Sequence, residues 1–487
     1  MNTIKNLDIS PNDINALPPD CGWYRRELAQ TSFGDRRIDE RFNFTVEKLA
    51  ALPLAPINQA SDNWADTKAS YRLFDNDKVS IEKILESHKK ETYKRIEGQK
   101  IVLAVQDTTN LNFNSHSKTT GLGPIGKNQY SNIQGLLLHS VLAFTPDGLP
   151  LGIIGSKIWS RENSDNLTKS EKNKLMRQKP IEDKESFRWL EGLEETVYAT
   201  PPGTKMVTIC DREADIYEFL AKADDLDSSV LVRAKQDREL DPHENELDYV
   251  SEVLSDQPSS GKITIDIPAQ NKKPARTATL EIRFAEVTLN KTKFVSKSNE
   301  KRMAPELKVS FIWAHEVETT VSVDEKVNWV LLTNDMVSNF NSAVEKINWY
   351  CCRWGIEIFF KILKSGCKVE DCRLETAERL KRYIATFCII AYRIHFLTYV
   401  ARTNPSASCT TVLSESEWKA LFCRINSTTI CPENPPTVRE AIRWIGQLGG
   451  FLRRKQDKEP GVTALWRGWQ RLTESVVMWS VFNKNHI

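Results

Sequence analysis

Hydrophobic and polar positions along this chain change period three times, and each change predicts a change of architecture. Over the first eighty residues apolar positions recur at helical spacing in Tyr24 to Ala29, Asp39 to Leu52 and Trp64 to Phe74. Gly34-Asp35, the proline-containing Leu52 to Pro56 and Ser61-Asp62-Asn63 separate these stretches, and Ser61 or Asp62 is placed to cap the third. From Lys100 short apolar runs take over. Ile101 to Gln106 and Lys205 to Cys210 have the length and composition of buried strands, and Gly135 to Phe144 and Leu151 to Trp159 form an antiparallel pair around Thr145-Pro-Asp-Gly148. A helix is expected over Lys184 to Ala199, another starting near Arg212, and a further strand over Ser229 to Lys235. Lys262 to Ile267, Thr277 to Leu289, Leu307 to His315 and Val327 to Thr333 then alternate or run β-branched, the texture of an all-β insertion. Beyond Lys364 the helical period returns. Glu375 to Ala401 carries Leu380, Ile384, Phe387, Ala391 and Ile394 on one face, Asn404-Pro-Ser-Ala-Ser408 ends it, and helices follow around Trp418, over Val438 to Leu448 and over Thr463 to Phe482.

Composition narrows the class without naming it. At 487 residues, 40% hydrophobic and 27% charged, the chain has the size and make-up of a globular protein of about two to four domains. A net charge of only +2 means that any DNA contact must come from local patches. The ten cysteines include no pair at the two-residue spacing of zinc sites. The N-terminus lacks an apolar signal core, and no stretch approaches about eighteen uninterrupted apolar residues, so an intracellular protein with reduced thiols is expected.

The most informative segment is Tyr350-Cys-Cys-Arg-Trp-Gly-Ile-Glu-Ile-Phe-Phe-Lys-Ile-Leu-Lys364. At helical pitch, Tyr350, Arg353, Glu357 and Lys364 fall within about 60° of one another, a polar stripe of about four turns. A carboxylate flanked by an arginine, a lysine and a phenol suits a metal ion held beside a phosphodiester. The plainer alternative is an i, i+4 ion pair between Arg353 and Glu357 on a solvated helix. Two aspartates follow apolar strands upstream: Asp107 in Ile101-Val-Leu-Ala-Val-Gln-Asp-Thr-Thr-Asn, and Asp211 in Lys205-Met-Val-Thr-Ile-Cys-Asp-Arg-Glu-Ala-Asp. Both side chains are expected where the sheet meets solvent. Asp215 is expected on the following helix, paired with Arg212 or capping its own turn.

At these three motifs the chain resembles the bacterial cut-and-paste DDE transposases, in the insertion-sequence subgroup with the Tyr-Arg-Glu-Lys signature. The resemblance runs from about Leu28 to about Trp469. It implies a multidomain α/β protein: an RNase H-like mixed-sheet catalytic core with an all-β insertion, flanked by helical N- and C-terminal domains. The implied domains are an end-binding domain over 1–80, a catalytic domain over 81–403 with the insertion at about 238–335, and a dimerisation domain over 404–487. Asp107, Asp211 and Glu357 become the catalytic metal ligands, for two Mg2+ ions with Mn2+ able to substitute. Arg353, Lys364 and Tyr350 become phosphate clamps, the arginine by a bidentate fork and the lysine as a point charge. Arg233 corresponds to an arginine near the transferred strand end, and Trp329 to a tryptophan that stacks on a flipped base; pattern alone makes Trp329 a strand core residue. Arg36, Arg37 and Arg41 read on spacing alone as a solvated helix start partnered by Asp35, Asp39 and Glu40. The resemblance reads them as contacts to the element ends. The implied partners are double-stranded element ends, target DNA and a second copy of the chain, in the bacterial cytoplasm and away from membranes. The implied reaction nicks one strand at each end, forms and reopens a hairpin, and joins the freed 3′-hydroxyl to target DNA.

Other segments carry less. Gly121-Leu-Gly-Pro-Ile-Gly-Lys-Asn128 nearly spells a phosphate-binding loop, but Asn128 replaces the required hydroxyl residue and a β pattern follows. Lys118 and Lys127 in that loop, and Lys291, Lys293, Lys297 and Lys301 in the Asn290 to Lys301 connector, are candidate DNA contacts or solvated charges. A catalytically silent end-binding regulator and a nuclease acting without paired ends are the competing readings; intact Asp107, Asp211 and Glu357 disfavour the first.

Overall fold

The structure, a computed structural model, describes residues 23–127, 132–162, 170–171, 179–240, 247–267, 275–290, 306–317, 326–454 and 457–483. Lys291, Lys293, Lys297, Lys301 and Asn128 lie outside them. Five helices come first: α1 (Trp23–Glu27), α2 (Arg36–Ala51), α3 (Ile57–Ala60), α4 (Trp64–Phe74) and α5 (Ile81–Ile96). The α/β region follows with β1 (Ile101–Asn112), β2 (Gly123–Lys127), β3 (Asn132–Phe144), β4 (Pro150–Trp159), α6 (Phe187–Tyr198), β5 (Lys205–Cys210), α7 (Tyr217–Asp225) and β6 (Ser229–Arg233). Next come α8 (Val250–Asp256), β7 (Gly261–Ile267), β8 (Arg276–Asn290), β9 (Glu306–Glu316) and β10 (Asn328–Thr333). The chain closes with α9 (Phe340–Cys351), α10 (Trp354–Lys361), α11 (Ala377–Thr403), α12 (Glu415–Asn426), α13 (Val438–Leu448) and α14 (Val462–Asn483).

The ten strands among the described residues form one sheet, ordered β2-β3-β1-β5-β6-β10-β9-β8-β7 with β4 also on β3. β1, β5 and β6 run parallel, and β3 and β4 extend them antiparallel. This is the RNase H-like order, in a multidomain α/β chain with helical flanks. The β insertion is not a separate sheet: β10 pairs antiparallel with both β6 and β9, so the insertion lengthens the central sheet by four strands.

Side-chain alternation gives the sheet two buried faces. Leu103, Val105, Val207, Ile209, Leu231 and Leu331 pack on the side of α10 and α11. Cys210, Val230, Val232 and Leu332 pack against Trp189, Leu193, Phe219 and Leu220 of α6 and α7 on the other. Near-continuous apolar runs in β1, β5 and β6 follow from burial on both sides.

Three local expectations need correction, and one helix has no counterpart among them. The cap of α4 is Asn63, whose side chain accepts from the Asp66 amide, rather than Ser61 or Asp62. The segment after Asp211 makes a 3-10 turn (Arg212–Ala214) before α7 begins, and Asp215 is buried, accepting from Arg238 and from the Lys235 amide at 2.7 Å. α11 has no single apolar stripe: the five consecutive residues Phe387 to Ala391 are all buried, because helices and the sheet surround it. It is long and apolar enough to cross a bilayer, yet 94% of its apolar window is buried inside the protein. Finally, α5 was not anticipated, because its inner face mixes His88, Glu91 and Thr92 with Ile84, Leu85 and Ile96.

The C-terminal helices pack through glycine. A Cβ on Gly468 of α14 would lie 1.8 Å from the Ile445 carbonyl oxygen, and one on Gly449 would lie 1.8 Å from the Ala464 carbonyl oxygen. The two backbones therefore touch, as only glycine permits. Gly468→Ala should lower stability by about 1–3 kcal/mol, measured by denaturant unfolding; an unchanged midpoint would show that the helices part easily.

Candidate active site

The parallel register of β1 and β5 pairs Val105 with Ile209. Two residues further along both segments stand Asp107 and Asp211, at the same level on adjacent segments, with strands spaced about 4.8 Å. Both share the face of Val105 and Ile209, the face covered by α10 and α11. Asp107 is not at a strand end, however. β1 continues to Asn112 because β3 is long enough to pair with it throughout, matching Asp107 with Ser140. β5 stops at Cys210, and Asp211 caps the following turn by accepting from the Glu213 amide at 2.8 Å.

Glu357 reaches this face from α10. The stripe from Tyr350 to Lys364 is not one straight helix. α9 ends at Cys351, the bonds from the Cys352 and Arg353 amides go back three residues to Trp349 and Tyr350 (3.0 Å each), and α10 runs into a π turn at Ile362–Gly366. Backbone angles stay in the right-handed helical region at Cys352 and Arg353, and Arg353 opens α10. Its guanidinium donates to Asp107 Oδ2 at 3.3 Å and to Glu357 Oε1 at 2.6 Å, and lies 5.8 Å from the Tyr350 ring centroid. One cation thus joins carboxylates from β1 and α10.

Burial pushes the Asp107 carboxyl up; Arg353 pulls it down, Asp211 and Glu357 push it up again, and it settles at about 7. This is a carboxylate cluster short of positive charge. Among the described residues no three His, Cys, Asp or Glu side chains converge closely enough to hold one ion, since Arg353 stands between Asp107 and Glu357. The donor set is all carboxylate oxygen, which fits a hard divalent cation and not zinc or copper.

Other anticipated residues surround this cluster. Tyr350 is 3% exposed and its hydroxyl is pushed up by burial. Arg233, at the end of β6, donates to the Asn328 carbonyl at 3.3 Å and is held below the usual guanidinium range by burial, with Tyr350 and Arg353 beside it. Trp329 is 7% exposed, edge-on to Tyr350 at 5.4 Å and to Trp354 at 6.2 Å. Lys364 is half-buried in the π turn, its ammonium lowered by burial and raised by Glu370, whose carboxylate accepts from the Asn112 amide at the end of β1. Arg36, Arg37 and Arg41 lie apart from the cluster on α2. Arg36 pairs with Glu40 (2.7 Å), Arg37 with Asp35 (3.2 Å) and Arg41 with Asp66 (2.9 Å), the first two almost fully exposed. Asp39 accepts instead from the Phe33 amide at 2.7 Å. The Gly123–Lys127 segment of the near phosphate loop is β2, paired with β3.

Sequence reading missed the residues behind the sheet. Arg188 on α6 is buried and reaches both Thr108, next to Asp107, and Glu213, two residues after Asp211. Its only sequence signal is an arginine on the inner face of a helix, which without tertiary partners is indistinguishable from a snorkelling surface residue.

Known families match along most of this framework. A transposase DNA-binding family matches residues 20–79, a transposase DDE domain residues 189–393, and a transposase Tn5 dimerisation domain residues 389–481. Among solved structures, a cryo-EM structure of the piggyBac transposase synaptic complex with hairpin DNA is similar at 10% identity, over 85% of this chain and 83% of that one, with a TM-score of 0.33, a likeness too distant to bear on this chain's chemistry. DDE domains of this kind depend in general on a divalent metal. The chain is therefore a DNA transposase, a DNA-cleaving and strand-transfer enzyme built from DNA-binding, DDE and Tn5-type dimerisation domains.

Proposed function

We propose that Asp107, Asp211 and Glu357 are the metal-binding and catalytic carboxylates, and that this chain belongs to the Tyr-Arg-Glu-Lys subgroup of bacterial insertion-sequence transposases. The observation carrying this reading is the Arg353 guanidinium held by both Asp107 and Glu357, with Asp211 beside Asp107. Asp211 and Glu357, from distant segments, both act electrostatically on Asp107, and a cation already bridges Asp107 and Glu357. The fitting ions are two Mg2+, with Mn2+ able to substitute; when bound they supply an activated water and neutralise the leaving oxygen.

The chain's own residues supply the rest. Arg353 leaves the carboxylates for a phosphate, which its fork binds bidentately. Lys364 adds a point charge and Tyr350 a hydroxyl donor. Arg233 holds the transferred strand end. Trp329 stacks on an unpaired base once Tyr350 and Trp354 shift from its edges, a contact worth about 1–3 kcal/mol. Arg36, Arg37 and Arg41 contact the element ends. The order of chemistry is nicking, hairpin formation by the freed 3′-hydroxyl, hairpin opening, and joining to target DNA.

The domains run over 1–80, 81–403 with the β insertion at about 238–335, and 404–487. Two copies assemble on paired ends in the bacterial cytoplasm. The last turns of α14 leave Val477, Met478, Val481 and Phe482 between 53% and 71% exposed, an apolar surface suited to that pairing. Incubating the protein with Mg2+ or Mn2+ and DNA bearing the element ends tests the reading: nicks, hairpins and joined products are expected, and end binding without any nick contradicts it.

A further inference from the structure

Asp107 and Asp211 face α10, but alternation turns their neighbours to the opposite side of the sheet. Thr108 and Gln106 point towards α6. There Arg188, 7% exposed, donates from Nε to Thr108 Oγ1 at 2.8 Å, from Nη2 to Glu213 Oε2 at 2.6 Å, and from Nη1 to the Glu185 carbonyl at 2.8 Å. One rigid fork therefore fastens the residue after Asp107 to the residue two past Asp211, from behind.

Gln106 Oε1, an acceptor, faces His139 Nε2 at 3.2 Å, so Nε2–H donates to it, and the neutral ring's Nδ1 accepts from the Thr108 hydroxyl at 2.9 Å while Thr108 Oγ1 accepts from Arg188. Trp189 packs edge-on to the His139 ring at 4.8 Å. Close approach of α6 depends on Gly192, one turn after Arg188: a Cβ there would sit 2.5 Å from Gln106 Oε1. The helix is drawn against β1 at the height that lets Arg188 reach Thr108.

We infer that Arg188 is a positioning residue, which sets the spacing of the Asp107 and Asp211 segments so that their carboxylates can share a cation. The inference rests on the ligand reading above. A buried guanidinium paired with Glu213, whose side chain is 59% exposed, is a poor source of stability, because desolvation offsets much of the attraction. What the fork gives is fixed geometry across two segments. Partners of metal ligands that act in this way change metal affinity by about 10–100-fold when removed.

The test is Mn2+ binding to the full-length protein, followed by the electron paramagnetic resonance of free Mn2+, with thermal melting in parallel. Arg188→Lys keeps the charge but not the fork, and is expected to weaken Mn2+ binding about tenfold or more. Thr108→Val, nearly isosteric, cuts the link from Arg188 to β1 together with the hydrogen bond to His139, leaves the link to Glu213, and is expected to weaken Mn2+ binding severalfold, and in the double variant the combined loss is smaller than the sum of the single losses. Mn2+ binding within twofold of wild type in Thr108→Val and Arg188→Lys, whatever the melting temperature does, overturns the positioning role. Should Arg188→Lys fail to fold, Thr108→Val and Glu213→Gln decide the matter by the same criterion. Asp211→Asn separates the two levels: loss of Mn2+ binding there with none in the Arg188 set removes the positioning role alone, whereas wild-type binding in Asp211→Asn removes the ligand reading and this inference with it.

Discussion

Glu357→Gln should leave folding and end binding intact and reduce nicking of end-bearing DNA by about a thousandfold or more. A metal ligand at the scissile phosphate contributes several kcal/mol of transition-state stabilisation, and each 1.36 kcal/mol is tenfold in rate. The competing description makes Glu357 merely the partner of Arg353 in an i, i+4 pair. Its carboxylate is 44% exposed, and such pairs contribute about 0.2–0.5 kcal/mol. That description predicts nicking within a few-fold of wild type and a barely altered melting temperature. The two differ by orders of magnitude in one gel assay, with a gel shift on the same variant to confirm that end binding survives. Glutamine keeps the shape and the oxygen that Arg353 contacts, so a large loss reports the missing charge and not a collapsed site.

Glu27→Ala should cost about 3–5 kcal/mol of stability, the usual consequence of removing one partner of a buried ion pair. Glu27, in α1, accepts from Arg95 Nη1 at 2.7 Å through Oε1 and from His88 Nδ1 at 2.6 Å through Oε2. His88 Nε2 accepts in turn from the Ile153 amide at 3.0 Å, so the ring is neutral and both its nitrogens are used. Arg95 also lies 5.1 Å from the Tyr392 ring centroid on α11. The network ties the first helix of the DNA-binding segment to α5, β4 and the central helix of the core. Without Glu27, Arg95, whose side chain is 24% exposed, loses the carboxylate that its fork grips and keeps only its bonds to the Leu151 carbonyl and Thr92 and its place over Tyr392. Burial alone would raise the Glu27 carboxyl; Arg95 and His88 more than offset that and hold it down to about 2. A depressed carboxylate stabilises the fold above its ordinary value of 4.5, and that contribution disappears as pH falls from there towards about 2. Wild type should therefore lose about 3 kcal/mol across that window, and Glu27→Ala should lose correspondingly less. Parallel pH profiles for the two proteins would contradict the assignment.

Much of the framework was legible because burial on both faces leaves a plain mark. The apolar runs ending in Gln106-Asp107 and Cys210-Asp211 mark β1 and β5, and their parallel pairing needs only equal run lengths to bring the two aspartates level. The four β-branched runs after Arg233 mark β7 to β10, although nothing local says that β10 returns to β6. The extent of β1 was hidden for a different reason. Asp107-Thr-Thr-Asn looks like a strand end, since its polar side chains face the site on one side and Arg188 on the other. The break at Cys352-Arg353 left no proline and no loss of helical period; Gly355 marks it only in hindsight, where a Cβ would meet the Phe144 ring at 2.7 Å. The Arg353–Glu357 half of the bridge was legible as an i, i+4 pair, whereas its Asp107 half comes from β1 and could not be read from spacing. Arg188 was invisible because Thr108 and Glu213, the two residues that it joins, come from other elements.

The most direct measurement is anomalous scattering from Mn2+ in crystals of the protein bound to DNA bearing its element ends. Peaks are predicted within coordination distance of Asp107, Asp211 and Glu357, with the Arg353 guanidinium turned from Asp107 to a DNA phosphate. Absence of any peak at those carboxylates, with Arg353 still spanning Asp107 and Glu357 while DNA is bound, would contradict the account.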